Sequence, residues 1–250
     1  MSKDLFSKQA SLYAKYRPGY PEELIEYILS FVYRRETAWD CATGNGQAAI
    51  LLSPYFKKIF ATDISEKQIS HAIRDPSIEY SLSRAEKTSF SDNSFDLITV
   101  AQAYHWFQFE SFYQEATRVG RNGAIAAVWG YGLLNVNDTA LNKWIRYFYT
   151  SIVGKYWDPE RQYVDEEYKT IPFYFKELPS GNFKTELQWN LEDFIGYLNT
   201  WSSVQHFVKS NNYNPVDKLA DEIKSFWIKD ETKLFSFPLF MRIGKIEKAG

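Results

Sequence analysis

Short apolar runs alternate with segments of helical spacing over the first half of the chain. The pattern predicts two opening helices at 5–16 and 22–32, separated by Arg17-Pro18-Gly19-Tyr20-Pro21. Apolar runs then predict strands at 38–42, 58–61, 78–82, 95–101 and 124–129. The helices predicted between them lie at 47–53, 65–73, which Ser65 would cap, and 109–117. This alternation is typical of a doubly wound sheet that binds its ligand at the carboxyl ends of the strands.

The alternation stops after Gly130. A helix is predicted at 141–153, and a turn-rich stretch without strand periodicity follows it up to about 180. A strand is predicted at 183–190, helices at 191–200 and 216–228, and a closing strand at 234–246 that is broken near Pro238. The interruption therefore indicates an inserted cap.

A glycine-bearing turn follows the first predicted strand. The segment Asp40-Cys41-Ala42-Thr43-Gly44-Asn45-Gly46 leads into a helix, and Asp63 follows Gly46 by 17 residues at the end of the next strand. The start of a helix suits an anionic group, and an acid about 20 residues later suits ribose hydroxyls. A nicotinamide cofactor would require glycine at Ala49, so the turn fits that class poorly.

Composition narrows the class of protein. Of 250 residues, 45% are hydrophobic and 24% charged, which is typical of a globular chain, and the net charge of −2 argues against a nucleic-acid partner. The aromatic share of 18% indicates either aromatic pocket walls and interfaces or an aromatic core. A single cysteine, Cys41, and the lack of an apolar stretch of about 20 residues predict a cytoplasmic protein without a membrane partner. No metal site is predicted.

Several motifs together resemble class I S-adenosylmethionine-dependent methyltransferases. They are Asp40 to Gly46, Asp63, Ala85-Glu86 and Ser94 to Val100. The segments 101–107, 13–21 and 156–159 resemble the trans-aconitate methyltransferase-like subfamily. The resemblance implies an α/β fold with a Rossmann-like doubly wound seven-stranded sheet, an antiparallel last strand and a helical cap insertion. Ala42 departs from the motif, which usually has a third glycine there.

The resemblance also implies positions for the site. The residues expected to bind S-adenosyl-L-methionine are Tyr13, Arg17, Asp40, Thr43, Gly44, Asn45, Gly46, Asp63, Ile64, Ala85, Glu86, Ala101, Gln102, His105 and Trp106. Those expected to contact the acceptor are Tyr16, Tyr131, Trp157, Arg161 and Trp201. His105 is either a catalytic group or a hydrogen-bonded structural residue. Arg17 either clamps a carboxylate, of methionine or of the acceptor, or is a surface residue beside a turn.

The expected activity is O-methylation of a carboxylate on a small molecule by direct in-line displacement. A carboxylate is ionised at neutral pH and needs no general base. The alternative is a non-catalytic cofactor-binding or interaction protein that retains the fold. We expect residues 1–130 to form lid helices and the cofactor-binding half of the Rossmann-like domain. Residues 131–180 are expected to form the cap, and 181–250 to complete the sheet. The oligomeric state stays open.

Overall fold

The structure is a computed structural model that describes residues 15–248. Within these residues, one mixed sheet has nine strands in the order β3-β2-β1-β4-β5-β9-β6, and β7 and β8 also pair with β9. The strands are β1 (Thr37–Cys41), β2 (Lys58–Asp63), β3 (Ile78–Leu82), β4 (Phe95–Ala101), β5 (Gly120–Tyr131), β6 (Asn135–Val136), β7 (Lys176–Glu177), β8 (Phe183–Trp189) and β9 (Lys233–Lys245).

The predicted doubly wound fold is confirmed. Strands β1 to β5 pair in parallel, and β9 runs antiparallel to both β5 and β8. Seven of the strands have five or more residues, as expected, and the two-residue strands β6 and β7 are additions. Because the chain order reverses between β1 and β4, a crevice forms at the carboxyl ends of these two strands.

Ten α-helices flank the sheet within the described chain. They are α1 (Glu22–Leu29), α2 (Gln47–Leu52), α3 (Glu66–Ser70), α4 (Phe109–Val119), α5 (Thr139–Tyr147), α6 (Arg161–Asp165), α7 (Leu191–Asn199), α8 (Ser202–Asn211), α9 (Pro215–Lys218) and α10 (Ala220–Lys224). Ser65 caps α3 as predicted, since its hydroxyl accepts from Gln68 N at 3.2 Å. Over residues 15–248, no helix combines the length and apolarity that crossing a bilayer requires.

Some predicted helices differ from the structure. The helix predicted at 5–16 lies outside the described residues except for Lys15 and Tyr16, which are helical. The helix predicted at 216–228 is two short helices, α9 and α10. Helix α8 was not predicted, because only Val204 and Phe207 among its apolar side chains are buried and the apolar stripe is therefore weak.

The closing strand β9 is not broken at Pro238, so that prediction was wrong. Pro238 lies between the part of β9 that pairs with β5 and the part that pairs with β6. Its carbonyl accepts from Gly132 N at 3.0 Å. The strand therefore passes through the proline at a point where no ladder hydrogen bond needs its missing N–H.

The segment between β5 and β8 contains more than helices and turns. It holds α5, a π-helical turn at Phe148–Ile152, α6, and the short strands β6 and β7, which pair with opposite halves of β9. Arg242 of β9 donates to Ile171 O at 2.5 Å and pairs with Glu177 of β7. These contacts attach the segment to the sheet. The division of the chain into three parts stays a prediction.

Helices cover both faces of the sheet, and much of the aromatic content forms its core. Ala38 and Trp39 are successive residues of β1, yet both are fully buried in different apolar clusters, because neighbouring side chains point to opposite faces. Trp39, Trp129, Tyr104, Tyr168 and Phe95 are among the largest fully buried side chains. The aromatic-core interpretation therefore accounts for much of the 18%.

Replacing Gly46 with alanine should destabilise the fold. Gly46 has φ 86°, and an added Cβ would overlap the Tyr80 hydroxyl, which donates to Ile73 O at 2.7 Å. A left-handed alanine and a displaced hydrogen bond together should lower the free energy of unfolding by about 2–3 kcal/mol. Thermal unfolding should show a Tm lower by about 5–10 °C.

The matched control is Gly132→Ala. Among the described residues its Cβ would approach nothing closer than Pro238 Cγ at 3.7 Å, so its Tm should stay close to that of the wild type. Equal Tm values for the two variants would contradict the explanation.

Candidate functional site

A cavity of about 140 Å³ opens at the carboxyl ends of β1, β2, β3 and β4. The turn after each strand supplies part of its wall, as the switch in strand order predicts. The expected residues that line it are Thr43, Gly44, Asn45, Asp63, Ile64, Ala85, Glu86, Ala101, Gln102 and Trp106. We call it the first cavity.

The turn after β1 is held by a carboxylate at the end of β2. Asp63 accepts from Gly44 N at 2.9 Å and from Ser65 N at 2.8 Å. Gly44 has φ 58°, and apart from its chain neighbours no atom of residues 15–248 lies within 4 Å of where its Cβ would be, so the described chain leaves open space at this point. Ala42 adopts φ 55°, so alanine takes the left-handed conformation here at a cost of about 1 kcal/mol.

Asp40 lies behind this turn and does not line the cavity. Its side chain is fully buried and accepts from Thr43 Oγ1 at 2.5 Å and from Thr99 Oγ1 at 2.8 Å. Burial raises the pKa of Asp40 to about 6. Gly46 likewise lies away from the cavity, against Tyr80. In the structure Asp40 thus holds the turn through Thr43, and the missing side chain at Gly46 makes room for Tyr80.

A smaller cavity of about 50 Å³, the second cavity, adjoins the first. Gln102 and Trp106 line both cavities and so form a shared wall. The other residues of the second cavity are Arg17, His105, Trp157, Asp158, Arg161, Val164 and Ser202. It thus combines Arg17 and His105, which were expected beside the cofactor, with Trp157 and Arg161, which were expected beside the acceptor.

Three further expected residues, Tyr16, Tyr131 and Trp201, line neither cavity. Tyr13 lies outside the described residues. The ring of Tyr16 packs against Gly196, the Tyr131 hydroxyl accepts from Arg17 Nη1 at 2.9 Å, and Trp201 packs against Trp157. Tyr131 and Trp201 thus contact Arg17 and Trp157, two residues that line the second cavity.

The shared wall depends on an unusual backbone. Gln102, directly after β4, has φ 54°, and its N–H donates to Trp129 O at 2.8 Å. Its side-chain amide donates to Tyr131 O at 3.3 Å and lies where a Cβ at Gly130 would be. A left-handed non-glycine residue between two cavities is the kind of strain that accompanies functional sites.

The second cavity carries two guanidinium groups and one carboxylate. Besides Tyr131, Arg17 donates to Thr200 O at 2.9 Å. Arg161 lies over the Trp157 ring at 4.8 Å and donates from Nε to Tyr149 Oη at 2.8 Å and to Asp165 Oδ1 at 3.2 Å. Both of these bonds use Nε, so in the described part of the chain the Nη atoms of Arg161 stay available to a ligand. The excess of positive charge suits an anionic ligand.

His105 is buried and neutral. Its side chain is 8% exposed, and its Nδ1 lies 2.9 Å from the Tyr168 hydroxyl. Burial, with the nearby charge of Arg161, lowers the pKa of His105 to about 3. Such a ring binds a proton weakly at neutral pH, so it is better suited to orienting a ligand than to general-base catalysis.

Sequence reasoning missed several residues of the two cavities. Tyr20 and Asp158 lie inside 13–21 and 156–159, two segments that carry the subfamily resemblance, so the resemblance could have indicated them. Ser202 and Val164 gave none, because only tertiary packing brings α8 and α6 to the second cavity.

Comparisons with known proteins agree on one family. Residues 39–128 match a family described as a methyltransferase domain. The chain is 35% identical to a Dictyostelium discoideum protein named as a methyltransferase, over 98% of this chain and 95% of that one. It is 27% identical to a Saccharomyces cerevisiae protein named as an S-adenosylmethionine-dependent methyltransferase, over 86% and 87% of the two chains. A solved structure of a type II methyltransferase from Anaeromyxobacter dehalogenans aligns with a TM-score of 0.85 and 33% identity, over 93% and 99%.

The burial of His105 should make stability depend on pH. The pKa of His105 is lowered below its unfolded value of about 6.5, so protonation favours the unfolded chain and stability falls as pH drops below about 6.5. Between pH 7 and pH 5 the contribution of His105 to the free energy of unfolding should fall by about 2 kcal/mol, and in the wild type the raised pKa of Asp40 offsets part of this fall. His105→Gln should lack that loss in urea unfolding measured at both pH values.

The exposed His71 provides the control. His71→Gln should keep the pH dependence of the wild type, and a His105→Gln variant that also keeps it would refute the assignment of the effect to His105.

Proposed function

Because the chain belongs to the class I S-adenosylmethionine-dependent methyltransferases, we propose that it methylates a carboxylate oxygen of a small-molecule acceptor. S-adenosylmethionine is its cofactor. The observation that carries the proposal is the pair of arginines, Arg17 and Arg161, in a cavity that shares a wall with the first cavity. The resemblance to trans-aconitate methyltransferase-like proteins supports the same class of acceptor.

We place the cofactor in the first cavity, and the donor set fits it. Asp63 accepts a backbone N–H on each carboxylate oxygen, and a carboxylate oxygen can accept more than one hydrogen bond, as a contact with ribose hydroxyls would require. Ile64 and Ala85 would provide an apolar surface for adenine, and the open space at Gly44 would admit the methionine part. The Trp106 ring would attract the positive sulfonium.

We place the acceptor in the second cavity. When bound, S-adenosylmethionine supplies an electrophilic methyl group on a sulfonium. Gln102 and Trp106 line both cavities, so an acceptor in the second cavity would lie next to the cofactor in the first, and in-line attack requires the reacting atoms to be roughly 3–3.5 Å apart. Arg161 would bind the anionic acceptor through its Nη atoms, and Arg17 would add a second positive charge. A carboxylate oxygen already holds the attacking lone pair, so no residue has to remove a proton.

Arg17 was expected to bind the carboxylate either of methionine or of the acceptor, and its position favours the acceptor. It lines the second cavity and not the first, which supports a contact with the acceptor over a contact with the methionine carboxylate. His105 would orient the acceptor as a neutral ring. We also propose a cytoplasmic location, which the single, buried Cys41 supports.

Asp63→Asn should weaken cofactor binding while the chain stays folded. The amide keeps one acceptor oxygen, but it loses the negative charge, one of the two backbone hydrogen bonds and part of the capacity to accept from ribose hydroxyls. Calorimetry with S-adenosylmethionine should show a Kd raised about tenfold or more, since a charge-assisted hydrogen bond is worth about 1.5–3 kcal/mol.

The control is Asp92→Asn, since Asp92 is exposed on the surface, in an ion pair with Arg118. Its Kd should match that of the wild type. Unchanged binding by a folded Asp63→Asn variant would exclude the proposed ribose contact.

Arg161→Gln should weaken acceptor binding without weakening cofactor binding. Transfer of a labelled methyl group would be measured with a panel of small carboxylic acids, phenols and amines. With the carboxylic acid that turns over, KM should rise about tenfold, the value of one charge-assisted hydrogen bond, while the Kd for S-adenosylmethionine stays unchanged.

Arg146→Gln is the matched control, because Arg146 is exposed on α5. Methyl transfer to phenols or amines alone would overturn the carboxylate proposal, and an Arg161→Gln variant with the wild-type KM would remove Arg161 from the acceptor site.

A further inference from the structure

Two successive residues after α6 adopt a left-handed backbone. Glu167 has φ 55° and Tyr168 has φ 59°, and neither is glycine. Each such residue costs about 1–2 kcal/mol, so the surrounding contacts must hold this turn. Glu167 N donates to Val164 O at 3.0 Å and Tyr168 N to Tyr163 O at 2.8 Å.

The strained turn directs Tyr168 into the core. Its side chain is fully buried and packs edge-on against Phe240 of β9, with ring centroids 4.8 Å apart. Arg242, two residues further along β9, donates to the Tyr168 and Ile171 carbonyls at 3.4 and 2.5 Å. Strand β9 therefore holds both parts of Tyr168: Phe240 holds its ring and Arg242 holds its backbone.

The side chain of Tyr168 contacts the imidazole of His105. The Tyr168 hydroxyl and His105 Nδ1 lie 2.9 Å apart. His105 belongs to the 3-10 turn at Tyr104–Trp106, which begins two residues after Gln102 of the shared wall. Because Nδ1 is hydrogen-bonded to Tyr168, Nε2 is the ring nitrogen that residues 15–248 leave for a ligand in the second cavity, which His105 lines.

We propose that Tyr168 is a positioning residue, whose hydroxyl holds the His105 ring so that Nε2 contacts the acceptor in the second cavity. The inference rests on the proposed function for the location of the acceptor. A ring flip would place a carbon against the Tyr168 hydroxyl and lose a hydrogen bond between buried groups. The hydroxyl thus selects one ring orientation, and the tyrosine acts through His105 without touching the acceptor.

The hydrogen bond between Tyr168 and the His105 ring can be measured without any turnover, because it selects one tautomer of the ring. The chain has three histidines, so the ¹⁵N signals of the His105 ring can be assigned by their loss in His105→Gln. In the wild type they should show one neutral tautomer. In Tyr168→Phe, which keeps the ring and removes the hydroxyl, they should move toward the average of the two tautomers.

Tyr174→Phe is the matched control, because Tyr174 lies six residues further along and is 49% exposed. Its His105 signals should match those of the wild type. Unchanged His105 signals in Tyr168→Phe would overturn the proposal, whether or not an acceptor has been found.

Kinetics test whether the positioned ring serves the acceptor. Tyr168→Phe should lower kcat/KM for the acceptor about fivefold, the effect of one neutral hydrogen bond, and leave the Kd for S-adenosylmethionine unchanged. The double variant with His105→Gln should be no slower than His105→Gln alone, because Tyr168 acts only through His105. Additive losses, or a wild-type kcat/KM in Tyr168→Phe, would overturn the positioning role.

The two measurements separate the possible failures. If the wild type methylates no carboxylate, the proposed function fails, and the ¹⁵N signals still decide whether Tyr168 holds the His105 ring.

Discussion

The Asp63 carboxylate joins the turns that end β1 and β2, because it accepts one backbone N–H from each of them. A buried or half-buried N–H must find a partner, and here one side chain satisfies both Gly44 and Ser65. Ser65, whose N–H Asp63 accepts, in turn caps α3 with its hydroxyl. The opening of the first cavity, the left-handed path of the glycine turn and the start of α3 therefore depend on this one group.

The second constraint is the wall between the two cavities. Gln102 adopts a left-handed backbone because its N–H pairs with Trp129 at the end of β5, while its side chain reaches Tyr131 on the same strand. Gly130 leaves room for that side chain. The hydroxyl of Tyr131 in turn accepts from Arg17. A contact network thus runs from the shared wall to the amino-terminal arginine, and it links the two proposed binding sites.

Burial affects two ionisable groups of the site in opposite directions. It raises the pKa of Asp40 to about 6 and lowers that of His105 to about 3, because each loses its hydration as a charged group. Asp40 contributes stability below its unfolded pKa that is lost as pH rises through about 6, whereas the contribution of His105 is lost as pH falls below its unfolded value. The charge available to an acceptor in the second cavity consequently comes from Arg17 and Arg161, not from the imidazole.

The sequence alone determined the order of the main elements and the first cavity. Apolar runs predict strands β3 and β4, and turn residues and spacing predict the glycine turn and Asp63. All of these are short-range properties of the chain. Only the tertiary structure decided the second cavity, since Arg17, His105, Arg161 and Ser202 come from four distant segments that meet through packing. It also decided that Pro238 continues β9 and that Tyr168 reaches His105. No local sequence pattern encodes either result. Each depends on the backbone groups and side chains that a distant segment of the chain brings next to Pro238 or Tyr168.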